Sequence, residues 1–332
     1  MKNPRPGDIT FLPTLRCNAS CKNCCFGCRP TRGHTMPASD MKQCIDVAIN
    51  AFGSIKFVQF TGGECMLRYD DIRDVAGYAH SKYNLNSGFL SNCFWATTRE
   101  VAREKLKKLY DAGMRVMTVS TGDDHQEWVS LRQCMDAAIE AANLYYYSVS
   151  MRVELHDRHS KTFELLESDE EFNSLVQRGK IKVEPITWQN FNNEEMTERH
   201  KWKQHGNINT APCESIMRDI IIMPQGDMMA CCGINCSRIP FLRLGNVYDS
   251  PMDKLWADGF KDALKIWLIT EGPKGIMKYI SEHTSIPFPY SDDRCDICQN
   301  LFTDKMVMPY LKATYHDWYH RVMNLYMRRK DL

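Results

Sequence analysis

The sequence has almost no net charge and no long apolar run. Its 42 lysine and arginine residues nearly balance its 41 acidic residues, giving a formal net charge of +1. Such a chain lacks the basic excess that attracts nucleic acid or anionic membranes. No apolar run approaches the roughly 18 residues of a membrane span, and the opening MKNPRPGDITF lacks the apolar core of a signal peptide. These absences predict a cytoplasmic protein with neither a nucleic-acid nor a membrane partner.

Cysteine, by contrast, is abundant, with 15 residues in 332. A disulfide framework is typical of small secreted domains with an even number of cysteines, which this chain does not resemble. Most of the cysteines are grouped in two segments. They are Cys17, Cys21, Cys24, Cys25 and Cys28 in the first segment and Cys213, Cys231, Cys232, Cys236, Cys295 and Cys298 in the second. In a reducing compartment this grouping indicates metal binding.

Short apolar strands alternate with helical segments over the first 190 residues or so. The predicted strands are 8–15, 55–60, 87–92, 115–120, 147–155 and 181–188. Strands that alternate with helices form a parallel sheet with right-handed crossovers. Six such units predict an α/β fold with an open, partial (β/α)6 barrel rather than a closed eightfold one. We expect this barrel domain over 1–189, a cysteine-rich domain over 190–300 and a C-terminal helix over 301–332.

Polar and special residues follow the first four predicted strands directly. The first cysteine group comes after the first strand, Thr61–Glu64 after the second, Ser91 and Asn92 at the end of the third, and Ser120–Asp124 after the fourth. The carboxyl ends of parallel strands carry the active site in α/β folds. The sequence therefore predicts an active site at this end of the barrel.

Cys17, Cys21 and Cys24 form a C-x3-C-x2-C motif within LRCNASCKNCCFGC. Three thiolates can hold three irons of a 4Fe–4S cube and leave the fourth iron open to a chelating ligand. Cys21, Cys25 and Cys28 have the same spacing and form a second possible register. We favour the first register because it begins at LRCN. Zinc in this loop is the alternative to a cluster.

With TGGE at residues 61–64 after the second strand, this motif resembles the radical S-adenosylmethionine superfamily. The resemblance implies a 4Fe–4S cluster whose open iron takes the amino and carboxylate groups of S-adenosylmethionine. It also implies that the backbone and carboxylate of Gly62, Gly63 and Glu64 meet the amino group of the methionine. By the same resemblance, four residues would contact the ribose and carboxylate of S-adenosylmethionine: Ser91, Asn92, Ser120 and Arg152.

The second cysteine segment resembles the auxiliary-cluster domain called SPASM, or its shorter form, twitch. The resemblance rests on Cys213, the G-x4-C signal that ends in Cys231, and C295-D-I-C298. It implies that Cys213, Cys231, Cys295 and Cys298 ligate a second 4Fe–4S cluster. No cysteine follows Cys298, so one auxiliary cluster is expected. A four-cysteine structural zinc site is the alternative.

The cysteine run, the GGE and the R218-D219…C231-C232-G block together resemble the epipeptide epimerases. These enzymes convert L-residues of a ribosomally made peptide to D-residues. The resemblance implies that a deoxyadenosyl radical abstracts the α-hydrogen and that Cys232 returns a hydrogen atom to the opposite face. Asp219 would position the peptide or relay a proton, and Cys236 is the rival hydrogen donor.

Two further interpretations stay open from the sequence. One is oxidative cross-linking of a precursor peptide, with a thioether or carbon–carbon bond as product and no thiol donor. The other is a non-catalytic scaffold that binds zinc. The enzymatic interpretation implies two partners, the precursor peptide and an electron donor such as a reductase, a flavodoxin or a ferredoxin.

Overall fold

A computed structural model describes residues 4–22, 24–155, 161–187, 210–233, 236–287 and 293–329. Its first half contains six strands, and one helix separates each strand from the next except the last two strands, which two helices separate. The strands are β1 (Asp8–Phe11), β2 (Phe57–Phe60), β3 (Asn86–Ser91), β4 (Met114–Gly122), β5 (Ser148–Leu155) and β6 (Lys182–Thr187). The helices are α1 (Ala38–Phe52), α2 (Tyr69–Tyr83), α3 (Arg99–Asp111), α4 (Leu131–Asn143), α5 (Lys161–Glu167) and α6 (Glu170–Gln177).

These six strands lie side by side in chain order, and each pairs in parallel with its neighbour. This arrangement confirms the predicted α/β fold with a partial barrel of parallel strands. The helices pack on the outer face, where α1 buries Met41, Ile45 and Ala48. Their ends carry ordinary stop and start signals. Gly53 ends α1 with a φ of +64°, and Ser130 begins α4 with a capping box.

Three further strands extend the same sheet beyond β1. They are β7 (Ile216–Ile222), β8 (Asp227–Cys231) and β9 (Arg243–Asn246). β7 pairs in parallel with β1, and the pairs β7–β8 and β8–β9 are antiparallel. The second cysteine segment thus shares a sheet with the barrel, whereas the predicted boundary at 189–190 lies outside the described residues.

The remaining helices differ from the sequence prediction at the C-terminus. They are α7 (Met252–Gly259), α8 (Ala263–His283), α9 (Arg294–Thr303), α10 (Val307–Ala313) and α11 (Tyr315–Arg328). The C-terminal helix predicted over 301–332 is two helices, α10 and α11, which Thr314 separates. No helix in the described ranges combines the length and apolar character that crossing a membrane requires.

The long helix α8 is broken at Gly272–Pro273. Gly272 has a φ of +67°, and a Cβ atom there would lie 2.2 Å from the carbonyl oxygen of Ala211. The segment that contains Ala211 therefore crosses the break at close range. Just beyond it, the Cys213 amide donates to the Leu268 carbonyl at 3.0 Å. The break in α8 fixes the position of Cys213.

Candidate active site at the carboxyl ends of the strands

A cavity of about 270 Å³ opens at the carboxyl ends of the barrel strands. It brings together ten residues that the sequence singled out from six separate segments. These are Cys17, Cys21, Cys24, Gly62, Gly63, Glu64, Asn92, Ser120, Arg152 and Cys232. Cys25 and Cys28 also line it, so both cysteine registers face the same space and the choice between them stays a prediction.

The sulfurs of the first cysteine loop accept hydrogen bonds from nearby backbone amides. Ala19 donates to Cys17 Sγ at 3.4 Å, and Cys28 donates to Cys24 Sγ at 3.2 Å. Burial, followed by smaller effects that include the charge of Glu64, raises the pKa of Cys17 to about 12. A thiol in this environment ionises when a cation binds it. Cys17 therefore suits coordination to a metal cluster better than it suits a free thiolate.

The Gly62–Gly63–Glu64 segment packs directly against the start of the cysteine loop. Gly63 N donates to the Thr14 carbonyl and Glu64 N to the Arg16 carbonyl, both at 2.9 Å. A Cβ atom on Gly63 would lie only 2.0 Å from the Arg16 oxygen. At Gly62, φ is +113°, a conformation that glycine tolerates. Both positions therefore require glycine.

The Glu64 carboxylate joins the ends of β2 and β3. Its Oε1 accepts from Met66 N at 3.0 Å and Ser91 Oγ at 2.9 Å, and its Oε2 accepts from Asn92 N at 2.8 Å. The side chain is 1% exposed, and burial raises its pKa to about 7 against the opposing effect of these hydrogen bonds. Glu64 is thus held rigidly, with its carboxylate at the cavity wall.

A histidine and a glutamate that the sequence analysis missed also line the cavity. His125 Nδ1 is hydrogen-bonded to Glu154 Oε1, and His125 Nε2 lies 3.2 Å from Ser120 Oγ. Burial alone would lower the pKa of His125, but the hydrogen bond and charge of Glu154 outweigh it and raise that pKa. A polar residue two positions after Arg152, on the same face of a predicted strand, was the signal that could have found Glu154.

The four cysteines predicted to hold the second cluster lie close together. A Cβ atom on Gly233 would be 3.1 Å from Cys231 Sγ and 3.2 Å from Cys295 Sγ. Burial and then the charge of Cys213 raise the pKa of Cys231. The pKa of Cys298 is raised by burial and then by the charges of Cys213 and Cys295. Because these thiols affect one another's pKa electrostatically, all four belong to one group.

A fifth cysteine belongs to the same neighbourhood. Burial raises the pKa of Cys236 to about 12, with smaller contributions from the charges of Cys232 and Cys295. Arg238, two residues on, donates from Nε to the Cys25 carbonyl at 3.1 Å. This contact ties the second cysteine segment to the first. Which four thiols act as ligands stays a prediction.

Asp219 does not reach the cavity. Its Oδ1 accepts a hydrogen bond from Asp8 N at 3.1 Å, at the amino end of β1. It lies in an irregular stretch of β7, where Met217 has a φ of +52° and the pairing with β8 shifts register. Its charge is nevertheless felt at Cys232, whose pKa is raised by partial burial and then by Asp219. Asp219 therefore lies outside the cavity but near enough for its charge to act on Cys232.

No group of three or more histidine, cysteine or acidic side chains in the described ranges is spaced to hold a single metal ion. An iron–sulfur cube places each thiolate on a different iron, so its ligands lie farther apart than those of one ion. Both cysteine groups offer soft sulfur donors, the type that such clusters take. The first cysteine group therefore fits a 4Fe–4S cube, and a second cube on the later cysteines stays a prediction.

Comparison with known proteins agrees with this geometry. Residues 11–144 match the family model described as Radical SAM superfamily. The chain is 21% identical over 314 residues to the putative peptide biosynthesis protein YydG of Bacillus subtilis (strain 168), which covers 91% of this chain and 95% of that protein.

Solved structures show the same fold. The structure of native anSMEcpe with bound AdoMet matches with a TM-score of 0.54 at 11% identity, over 97% of this chain and 100% of that one. The structure of native anSMEcpe with bound AdoMet and Cp18Cys peptide has a TM-score of 0.54 at 12% identity, over 97% and 99% of the two chains.

Proposed function

We propose that this chain, which carries a radical SAM domain over residues 11–144, converts L-residues to D-residues in a ribosomally made peptide. The domain implies a 4Fe–4S cluster and S-adenosylmethionine. The peptide substrate is supported by the similarity to YydG, a putative peptide biosynthesis protein. One observation carries the proposal of epimerisation, namely that Cys232 lines the same cavity as Cys17, Cys21, Cys24 and the glycine pair.

The cavity wall formed by the cysteine loop and Glu64 would hold the cofactor. When bound, the cluster and S-adenosylmethionine supply a deoxyadenosyl radical that removes hydrogen from carbon. Cys17, Cys21 and Cys24 would hold the cluster. The Glu64 carboxylate is fixed by three hydrogen bonds and would meet the amino group of the cofactor, while Ser120 and Arg152 would contribute ribose or carboxylate contacts.

Cys232 supplies the returning hydrogen atom. A cysteine thiol is ordinarily protonated at neutral pH, and this is the form that carries a transferable hydrogen. Asp219 lies outside the cavity, and its charge raises the pKa of Cys232. Return from the face opposite to abstraction inverts the α-carbon. The sulfur then needs one electron and one proton to recover, and an external one-electron donor such as a flavodoxin or ferredoxin provides the electron.

Cys213, Cys231, Cys295 and Cys298 would hold the second 4Fe–4S cluster next to this thiol. Cys231 is the immediate neighbour of Cys232 in the chain. The donor thus lies between the two cysteine groups. The hydrogen bond from Arg238 to the Cys25 carbonyl also joins these groups.

The test is the reaction of a candidate precursor peptide in heavy water. The wild type should add one deuterium to the peptide and produce a D-residue, because the Cys232 thiol exchanges its hydrogen with solvent. Cys232→Ala should still release deoxyadenosine but form no D-residue. Cys44→Ala removes a buried thiol on α1 and is the matched control, which should behave as the wild type.

Chiral amino-acid analysis and mass spectrometry decide the outcome. A D-residue formed by Cys232→Ala would contradict the donor role. A peptide that loses two hydrogens and gains no deuterium would replace epimerisation with cross-linking.

A further inference from the structure

Arg238 belongs to the second cysteine segment but contacts the first cysteine loop. It donates from Nε to the Cys25 carbonyl at 3.1 Å and from Nη2 to the Cys24 carbonyl at 3.4 Å. Cys24 is a ligand in the favoured cysteine register and Cys25 in the alternative one, so a guanidinium lies beside a predicted cluster ligand in either case. The cofactor contacts proposed for the cavity do not involve this cation.

A second arginine holds the next two carbonyls of the same loop. Arg32 donates from Nη1 to the carbonyl oxygens of Phe26 and Gly27, both at 2.9 Å. The peptide unit that begins at Gly27 ends at the Cys28 amide, which donates to Cys24 Sγ at 3.2 Å. Because the C=O and N–H groups of a trans peptide point in opposite directions, a cation that holds the carbonyl also directs the amide at the sulfur. The two arginines thus hold the carbonyl side of the loop.

The position of Arg238 is set by the chain that carries Cys231. The Gly233 amide donates to Cys231 Sγ at 3.0 Å, and the Cys236 amide donates to the Gly233 carbonyl at 3.0 Å. Ile239, the residue after Arg238, is 1% exposed and anchors the chain in the core. Because these contacts join a predicted ligand of the second cluster to Arg238, the second segment determines where the guanidinium lies.

A cation beside the first loop favours the reduced form of a cluster that binds there. Reduction adds one negative charge, and a positive charge nearby stabilises it. Hydrogen bonds to the sulfurs act in the same direction, and both effects set the potential of iron–sulfur clusters. The geometry of Arg238 therefore bears on how readily the first cluster accepts an electron from its donor.

We infer that Arg238 is a positioning residue of the first cluster, whose charge and hydrogen bonds to the loop raise the reduction potential of that cluster. The second cysteine segment thereby controls the electron affinity of the first. This inference rests on the proposed function, because it presumes a 4Fe–4S cluster on the first loop.

The test is a potentiometric titration of the reconstituted protein without oxygen, peptide or S-adenosylmethionine. The reduced first cluster is the EPR signal that is missing from a variant with Cys17, Cys21 and Cys24 replaced by alanine. At a given potential, Arg238→Gln should lower the ratio of reduced to oxidised first cluster about tenfold, a shift of about 59 mV for one electron. Arg238→Lys keeps the charge and should stay within about twofold of the wild-type ratio.

Two further variants separate this role from a general change in charge. Arg243→Gln is the matched control, because Arg243 is an exposed arginine of the same segment that pairs with Asp227 on β8. It should keep the wild-type potential. Arg32→Gln removes the cation from the other half of the loop and should lower the potential as Arg238→Gln does.

Each outcome decides the inference. A wild-type potential in Arg238→Gln overturns it, and so does an equal shift in Arg243→Gln. An Arg238→Lys protein that shifts as far as Arg238→Gln also overturns it, because the charge then plays no part. If Arg238→Gln takes up no first cluster, Arg238→Lys decides. A first cluster near the wild-type potential in that variant supports the inference, and its loss or a lowered potential overturns it.

Failure of this inference is distinguishable from failure of the proposed function. Wild-type protein that takes up no cluster on the first loop contradicts the proposed function itself. A first cluster whose potential does not depend on Arg238 overturns only the inference.

Discussion

Replacement of Gly63 by alanine should destabilise the protein severely, although it adds a single methyl group. That methyl carbon would lie 2.0 Å from the Arg16 oxygen and 2.7 Å from the Arg16 carbonyl carbon. Both atoms belong to the backbone, so no side-chain rotation relieves the clash. The segment must move away from the cysteine loop and lose the hydrogen bonds from Gly63 N to Thr14 and from Glu64 N to Arg16.

The size of the effect follows from these contacts. Two backbone hydrogen bonds contribute about 1 kcal/mol each, and overpacking costs about 1 to 3 kcal/mol. Gly63→Ala should therefore lower the free energy of unfolding by about 3 to 5 kcal/mol. Urea denaturation of the metal-free protein, followed by tryptophan fluorescence, measures it. Gly33→Ala is the control, because no atom lies within 4 Å of its added Cβ. A Gly63→Ala protein within about 0.5 kcal/mol of the wild type would refute the steric argument.

Two more predictions concern Glu64 and the break in α8. Burial raises the pKa of Glu64 to about 7 from 4.5, so its contribution favours folding most below about pH 4.5 and is lost as the pH rises through about 7. As the pH rises from about 5 to 8, the unfolding free energy of the wild type should therefore fall by about 2 to 3 kcal/mol relative to that of Glu64→Gln. Equal pH profiles of the two proteins in urea denaturation would contradict this. Gly272→Ala should displace Ala211 and Cys213 and lower the iron content from about eight to about four per chain. The control is Gly77→Ala, whose added Cβ would have its nearest neighbour 3.9 Å away and which should keep about eight irons. Full iron content in both variants would contradict the role of the break.

The six barrel strands could be predicted because each βα unit repeats the same local pattern of apolar strand and amphipathic helix. Their order in the sheet follows the order in the chain, so local signals suffice. Helix α8 was missed because Gly272 and Pro273 are ordinary loop signals. In the fold, two helical segments meet at this break, and the Ala211 carbonyl packs closely against Gly272. That contact joins residues about 60 positions apart and leaves no local trace.

The site shows the same limit. The cysteines, the glycine pair and Asn92 all follow strand ends, and the rule for parallel sheets places them in one cavity. Glu154 depends on the register between β4 and β5, which sets it opposite Gly122. Asp219 depends on the irregular pairing of β7, which directs it to Asp8 rather than into the cavity. Register and bulges are decided by tertiary packing and cannot be read from spacing.

The most direct test of the account is whether the protein cleaves S-adenosylmethionine. Protein reconstituted without oxygen and reduced with dithionite should release deoxyadenosine, and a variant with Cys17, Cys21 and Cys24 replaced by alanine should release none. Wild-type protein that carries its full iron content and yet forms no deoxyadenosine would contradict the account.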